Sequence, residues 1–287
     1  MLIHQNKQAI NPHRVVILGA GGFVSGATQR KLTSSGILVL ALSRKDLDLT
    51  QADSVEKLST LLLPDDSLLF VSAKAPVKDE GMLIENLLMG KTVCQAIKKS
   101  PVAHLVYISS DAVYADSEAP LTEKSCAQPG SLHGVMHLAR EVMLANAFAG
   151  PLCFLRPTLI YGREDPHNGY GPNRFIRLAK AGENIQLFGK GEERRDHVWV
   201  EDVADIAVSC LKMRSTGVLN CATGEVASFF AIAEKAASLA KTPIEILTSN
   251  RVGAMPHNGY RPFDIANTYL AFPDFKYISL LTGLEKL

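Results

Sequence analysis

Three observations predict an α/β fold built on a doubly wound parallel sheet, with a smaller C-terminal lobe. Short apolar runs alternate with helix-spaced segments through the first half of the chain. The runs are continuously apolar, as befits strands buried on both faces. After Gly162 the texture changes to Gly-, Pro- and Asn-rich loops between shorter elements. Strands separated by helices imply βαβ units, whose crossovers place helices on both faces of one sheet.

The opening stretch, MLIHQNKQAINPHR, is polar, and residues 1–13 read as a tail. RVVIL is the first strand; it runs into a glycine-rich turn and a helix through GATQRKLTSSG. ILVLALS and SLLFVSA are strands that flank a helix over ADSVEKLSTLL. LIENLLMGKTVCQAIKKS has helical spacing, HLVYISS is a strand, HGVMHLAREVMLANAF is a helix, and PLCFLRPTLIYG returns to a strand. These elements make residues 14–164 a Rossmann-type domain. From 165 to 287 the chain reads as a lobe interleaved with late elements of that domain. It holds helices over RFIRLAKAG, EDVADIAVSCLKM and SFFAIAEKAASLAK, a strand at NIQLFG, and a strand and loop at GVLNCATGE that return to the main sheet. GKGEERRDHVWV contains a charged turn, and the C-terminal stretch with Pro256, Pro262 and Pro273 reads as loop-rich.

Composition excludes several classes. With 30 basic and 29 acidic residues the net charge is +1, which gives no footprint for nucleic acid. No apolar run approaches the roughly 18 residues of a membrane span, and the N-terminus has no apolar signal core. Five scattered cysteines, Cys94, Cys126, Cys153, Cys210 and Cys221, form no C-x-x-C and read as reduced thiols. A cytoplasmic protein without membrane or nucleic-acid partners is expected.

Gly19-Ala20-Gly21-Gly22-Phe23-Val24-Ser25-Gly26 follows the first strand and opens a helix. Glycines there permit a tight turn and bring backbone N–H groups to a pyrophosphate at the helix N-terminus. The bland alternative is a left-handed turn with no ligand. After the second strand, where an NAD site wants a carboxylate for the ribose 2′-OH, stand Ser43 and Arg44. A hydroxyl and a guanidinium suit the extra phosphate of NADP, although NAD stays open and Arg44 could simply be a solvated loop residue.

The turn resembles the G-x-x-G-x-x-G of the extended short-chain dehydrogenase/reductases, the superfamily that includes the NAD-dependent epimerase/dehydratase family. Gly19, Gly22 and Phe23 match; the third glycine is replaced by Ser25. The resemblance implies a cofactor site that also includes Val24, Asp48 and Leu49 near the adenine, the turn Ser72-Ala73-Lys74, and Pro157 of RPTLIYG. HLVYISSDAVYA is similar to the family's catalytic strand, and counting back from Tyr114 selects Ser110 as the hydroxyl that bonds the substrate oxygen.

The family's Y-x-x-x-K is absent. SLHGVMHLARE resembles the phrase that carries it, but His133 and His137 occupy the two positions, and none of the seven tyrosines has Lys four residues later. Both histidines share a helix face. A neutral imidazole is a competent acid/base near pH 7, so His133 could take the tyrosine's role and His137 could bond the ribose. A metal pair is another reading, with no third ligand evident from spacing. A degraded site on a non-catalytic, cofactor-binding regulator or scaffold is a third.

GEERRDHVWVEDVADI resembles the G-x-x-x-RD-x-x-x-V-x-D-V-A phrase of nucleotide-sugar epimerases, dehydratases and reductases. It implies that Arg195 contacts a sugar-nucleotide diphosphate, with Arg194 a surface charge. Asn173 and Arg261 match further positions that often approach the nucleotide. The implied activity is hydride transfer at a carbon of a nucleotide-activated sugar by a homodimer.

Overall fold

The computed structural model describes residues 2–287. Its central sheet is assembled from β1 (Ile3–His4), β2 (Arg14–Leu18), β3 (Leu38–Leu42), β4 (Asp66–Phe70), β5 (His104–Ile108), β6 (Leu152–Pro157) and, after three strands that lie elsewhere, β10 (Ser215–Cys221). Its order is β1-β10-β6-β5-β4-β2-β3. All neighbours are parallel except β1 and β10. Helices α1 (Phe23–Ser34), α2 (Ser54–Leu61), α3 (Glu80–Lys99), α4 (Leu132–Ala147) and, later in the chain, α6 (Val200–Met213) cover its two faces.

Alternate residues of β2 show why the sheet is two-sided. Val15 and Ile17 pack with α1 and α6, and Val16 and Leu18 pack with α2 and α3; all four are at most 1% exposed. Such strands have no polar face, hence the unbroken apolar runs. Because β3 and β4 lie on opposite sides of β2, the chain reverses its direction of growth beside β2. A crevice opens at the carboxyl ends of the strands at such a point.

The C-terminal lobe is built from β7 (Leu159–Tyr161), α5 (Pro172–Ala181), β8 (Ile185–Gln186), β9 (Arg194–Trp199), β11 (Val226–Ser228), α7 (Phe229–Ser238), β12 (Ile246–Leu247), β13 (Tyr260–Arg261), α8 (Ala266–Ala271) and α9 (Leu280–Lys286). β9 is its hub, pairing with β7, β11 and β13. The charged turn expected in this stretch lies just before it, at 189–191, and the strand adds to that expectation. Asp196 and His197 face inward and are only 2% exposed, and Asp196 accepts hydrogen bonds from Thr158, Thr223 and Gly224. Its carboxyl is pushed up to about 6, burial outweighing those bonds.

The N-terminal tail expectation is also corrected. Ile3–His4 adds an antiparallel edge strand to β10, and His4 bonds Ser215 Oγ through Nδ1 (2.8 Å) and Ala271 O through Nε2 (2.9 Å). Two polar-flanked residues carry no strand periodicity, so the pairing is decided by the partner edge. Among the described residues no helix is long and apolar enough to cross a membrane, and no group of three or more His, Cys, Asp or Glu could hold a metal.

His104, at the start of β5, bonds the Ser215 carbonyl through Nε2 at 2.8 Å and is otherwise enclosed. Burial pushes its pKa down to about 4, and that of His197 down to about 3. Since 6.5 is the ordinary value, their stability contribution is complete above about pH 6.5 and is lost as pH falls toward these lower values. Thermal melts should therefore drop on acidification through that window. His104→Leu, weaker at neutral pH, should give up less stability there; an unchanged acid slope would contradict this assignment.

Candidate functional site

A cavity of about 1230 Å³ opens at the carboxyl ends of the central strands, large enough for a dinucleotide and a second ligand. The glycine turn forms one wall. Gly19 and Gly21 have φ of +100° and +79°, and a Cβ on Gly19 would stand 2.7 Å from the Ser72 nitrogen. Gly22 caps α1, whose first turn carries no acidic residue, so Phe23 and Val24 begin a helix with free N–H groups and the positive end of its dipole toward the cavity. Ser25, in place of the family's third glycine, is fully buried. Its Oγ donates to Gly19 O (2.6 Å) and accepts from Gly22 N (3.0 Å), lacing the turn to α1. This is a cradle that fits a pyrophosphate.

Opposite lies the turn Ser72-Ala73-Lys74, held from behind by α3 and α4. Arg140 Nη1 donates to Ser72 O (2.7 Å), while the Asn86 side chain bonds both backbone groups of Lys74 at 3.0 Å. Asp48 and Leu49 line the same end of the cavity. Thr50 hydrogen bonds hold the Asp48 carboxyl down at about 2. Arg44 lines the same end, its side chain 67% exposed and loosely paired with Asp48 (3.2 Å) and Glu85 (3.6 Å). Ser43 does not line the cavity. Its hydroxyl donates to Asp46 (2.6 Å), which removes it as a donor to a 2′-phosphate.

At the other end stand Ser110, His133, His137, Pro157 and Arg195. Ser110 Oγ caps the turn after β5 by accepting from Ala112 N (3.1 Å). α4 comes close to this turn because Gly134 has no side chain; a Cβ there would collide with the Ala112 carbonyl. The two imidazoles stack edge to face, 4.7 Å between centroids and 89° between planes. Burial lowers the pKa of both, most strongly for His137, whose Nδ1 is bonded to the Tyr107 hydroxyl at 2.7 Å. Arg195 is 11% exposed and pairs with Glu193 at 3.3 Å and Asp111 at 4.0 Å.

Two expected ligand contacts are spent on the protein itself. Asn173 braces the Gly162 turn, accepting from its N–H at 3.0 Å and donating to its carbonyl, and does not line the cavity. Arg261 is 1% exposed: Nε donates to Asp111 (2.9 Å), Nη1 to Asp116 (2.9 Å) and Nη2 to the Asp111 carbonyl (2.6 Å). It clamps β13 to the Ser110 turn and has no free edge for a diphosphate. Arg194 lies over the Tyr260 ring, 4.3 Å from its centroid. The cavity also brings in Asp111, Asp116, Asp165, His167 and His257, which no motif had marked. A lone loop histidine carries no periodic signal, and only the contact of His257 Nδ1 with Asp116 reveals it.

If Arg261 is a clamp, Arg261→Ala should destabilise the ligand-free protein by about 3–5 kcal/mol, because it leaves the buried Asp111 carboxylate with only its long contact to Arg195. Urea unfolding measures this; a loss of about 1 kcal/mol or less would mean that Arg261 is free for a ligand.

Comparison with known proteins agrees with the geometry. The NAD-dependent epimerase/dehydratase family matches residues 15–222. UDP-glucose 4-epimerase of Mycolicibacterium smegmatis is 27% identical over 225 residues, 68% of this chain and 72% of the relative. GDP-L-fucose synthase of Sinorhizobium fredii is 25% identical over 309 aligned residues, 90% of this chain and 95% of the relative. The crystal structure of UDP-glucuronic acid 4-epimerase from Bacillus cereus, in complex with UDP-glucuronic acid and NAD, shares the fold. Its TM-score is 0.81 at 20% identity, over 95% of this chain and 97% of that one. With its glycine turn at the switch of strand order and its family match over most of the chain, this protein belongs to the NAD-dependent epimerase/dehydratase family.

Proposed function

We propose that the protein is an NADP-dependent enzyme that oxidises, reduces or epimerises a carbon of a nucleotide-activated sugar, with Ser110, His133 and His137 as its site. The observation that carries this reading is the joining of the glycine cradle, the two imidazoles and Arg195 in one cavity. The relatives named above act on nucleotide sugars, which supports the substrate class. A bound nicotinamide would supply the hydride acceptor or donor.

Each residue then has a distinct task. Ser110 turns its hydroxyl hydrogen from a long bond to Asp111 Oδ1 (3.4 Å) to the substrate oxygen, while its lone pair caps the turn. His133, neutral at pH 7 because burial depresses its pKa, takes the proton of the hydroxyl being oxidised. His137 faces the nicotinamide ribose. Arg195 offers its guanidinium to the diphosphate in exchange for its long contact with Asp111. Arg44, held only by weak exposed pairs, favours the 2′-phosphate of NADP over the bare hydroxyl of NAD. A homodimer completes the reading. α3 and α4 pack together and expose Ile84 (58%), Leu88 (43%) and Val142 (62%), the apolar surplus of a two-fold four-helix contact.

The test is turnover on a panel of sugar nucleotides, followed by cofactor absorbance. His133→Ala should cost about 10²–10⁴-fold in kcat with cofactor affinity nearly intact. The oxidative rate should fall on the acid side through a pKa below 6.5, where His133 takes up its proton. Turnover equal to the parent would make the imidazole a bystander. For the cofactor, NADPH should bind more tightly than NADH, and Arg44→Ala should narrow the gap by about 1–2 kcal/mol. Equal binding of NADH would overturn the NADP assignment, and a monomer by light scattering at micromolar concentration would overturn the dimer.

A further inference from the structure

The site contains a hydrogen bond that no motif explains. Tyr107 lies inside β5, three residues before Ser110, and is fully buried. Its hydroxyl meets His137 Nδ1 at 2.7 Å, and its ring lies 5.8 Å from the imidazole. The direction of this bond decides what His137 presents to the cavity. If Tyr107 donates, Nδ1 is bare and the single imidazole proton sits on Nε2. If Tyr107 accepts, Nε2 is bare and His137 can only accept from a ligand.

Arg140 decides the direction. It sits one turn beyond His137 on α4, is fully buried, and has no carboxylate partner among the described residues. Its guanidinium packs on Phe70, 4.9 Å from the ring centroid, and Phe70 in turn stacks on Tyr107. Of its five N–H groups, Nε, both of Nη2 and one of Nη1 are taken by Asn86 and Ser72. No Arg140 hydrogen bond reaches Tyr107, but the fixed positive charge stands behind the Phe70–Tyr107 stack and acts on the Tyr107 oxygen through space. A hydroxyl whose lone pairs are turned toward a cation points its hydrogen the other way, here to Nδ1.

We propose that Tyr107, backed by Arg140, is a positioning residue that locks His137 in the Nε2–H tautomer, so that the imidazole faces the cavity as a hydrogen-bond donor. An Nε2–H donor at this place reproduces the donating property of the family's lysine without its charge; the permanent charge stands one layer deeper, on Arg140. The ligand-binding consequence rests on the ribose role proposed above for His137, whereas the tautomer itself does not.

The experiment is nitrogen-15 NMR of the histidine-labelled, ligand-free protein, which reports which ring nitrogen of each imidazole is protonated. His137, assigned by its loss in His137→Asn, should show a bare Nδ1 and a protonated Nε2 throughout the neutral range. Tyr107→Phe, which removes only the hydroxyl, should convert this signal to a tautomer mixture, and NADPH affinity should fall about 3- to 10-fold, the value of one hydrogen bond. A protonated Nδ1 in the parent protein, or a tautomer unmoved by Tyr107→Phe, overturns the lock. A shifted tautomer with unchanged NADPH affinity keeps the lock and overturns the ribose role of His137. Because the parent tautomer is read without Tyr107→Phe and without a ligand, it is decided even if that variant folds poorly, and a protonated Nδ1 there overturns the proposal on its own.

Discussion

Two consecutive buried charges on α4 set the position of everything in the site. Arg140 reaches across to Ser72 and Asn86, and so ties α4 to the cofactor wall and to α3. Glu141 points the other way. It accepts from Ser109 Oγ (2.6 Å) and forms a two-pronged pair with Arg156 at 2.9 and 2.5 Å, which ties the same helix to the ends of β5 and β6. Arg156 continues to the Tyr114 hydroxyl, which donates to Asn220 on β10. One helix is thereby fixed to three central strands and to the Ser72-Ala73-Lys74 turn. Charges so deeply buried are tolerable only with all their partners in place, and deleting one partner of such a pair commonly costs about 3–5 kcal/mol. His133 and His137, on the preceding two turns, inherit that rigidity, which is what an acid/base group needs.

The same burial sets the electrostatics. In the family's pattern a lysine brings a permanent positive charge to the nicotinamide ribose. Here two imidazoles hold the matching positions, and desolvation lowers both pKa values, with His133 and Arg140 lowering that of His137 further. A neutral His133 needs no neighbouring cation to make it a base at pH 7, whereas a tyrosine does. The exchange of Tyr and Lys for two histidines is therefore coherent as a pair. The cluster of Arg261, Asp111 and Asp116 gives the opposite lesson, because there a buried cation keeps its charge and is held by two carboxylates.

Much of this was legible in the residues themselves. The parallel sheet followed from unbroken apolar strands, and the cradle from glycines between a strand and a helix. Ser110, His133, His137 and Arg195 were brought to one cavity because each sits at a fixed offset from an element boundary. What stayed hidden depended on partners remote in sequence. Ser43, Asn173 and Arg261 occupy positions that elsewhere approach ligands, but here Asp46, the Gly162 turn and Asp111 take their hydrogen bonds. No local signal distinguishes a free guanidinium from one 150 residues from its carboxylate. β9 was hidden because its inward-facing residues include Asp196 and His197, whose polarity masks strand alternation until Thr158, Thr223 and Gly224 are seen to satisfy the carboxylate. Tyr107 read as one more apolar strand residue, and only the third dimension places its hydroxyl on His137.

The central claim is that an imidazole on α4 carries the proton in a working site. Its most direct test is a crystal structure of the ternary complex with NADPH and a turned-over or slowly reacting sugar nucleotide. In that complex His133 Nε2 and Ser110 Oγ should both lie within hydrogen-bond reach, about 2.6–3.2 Å, of one sugar oxygen whose carbon faces the nicotinamide. A sugar oxygen held by Ser110 with His133 turned away, or by a carboxylate such as Asp111 or Asp116 instead, would contradict it.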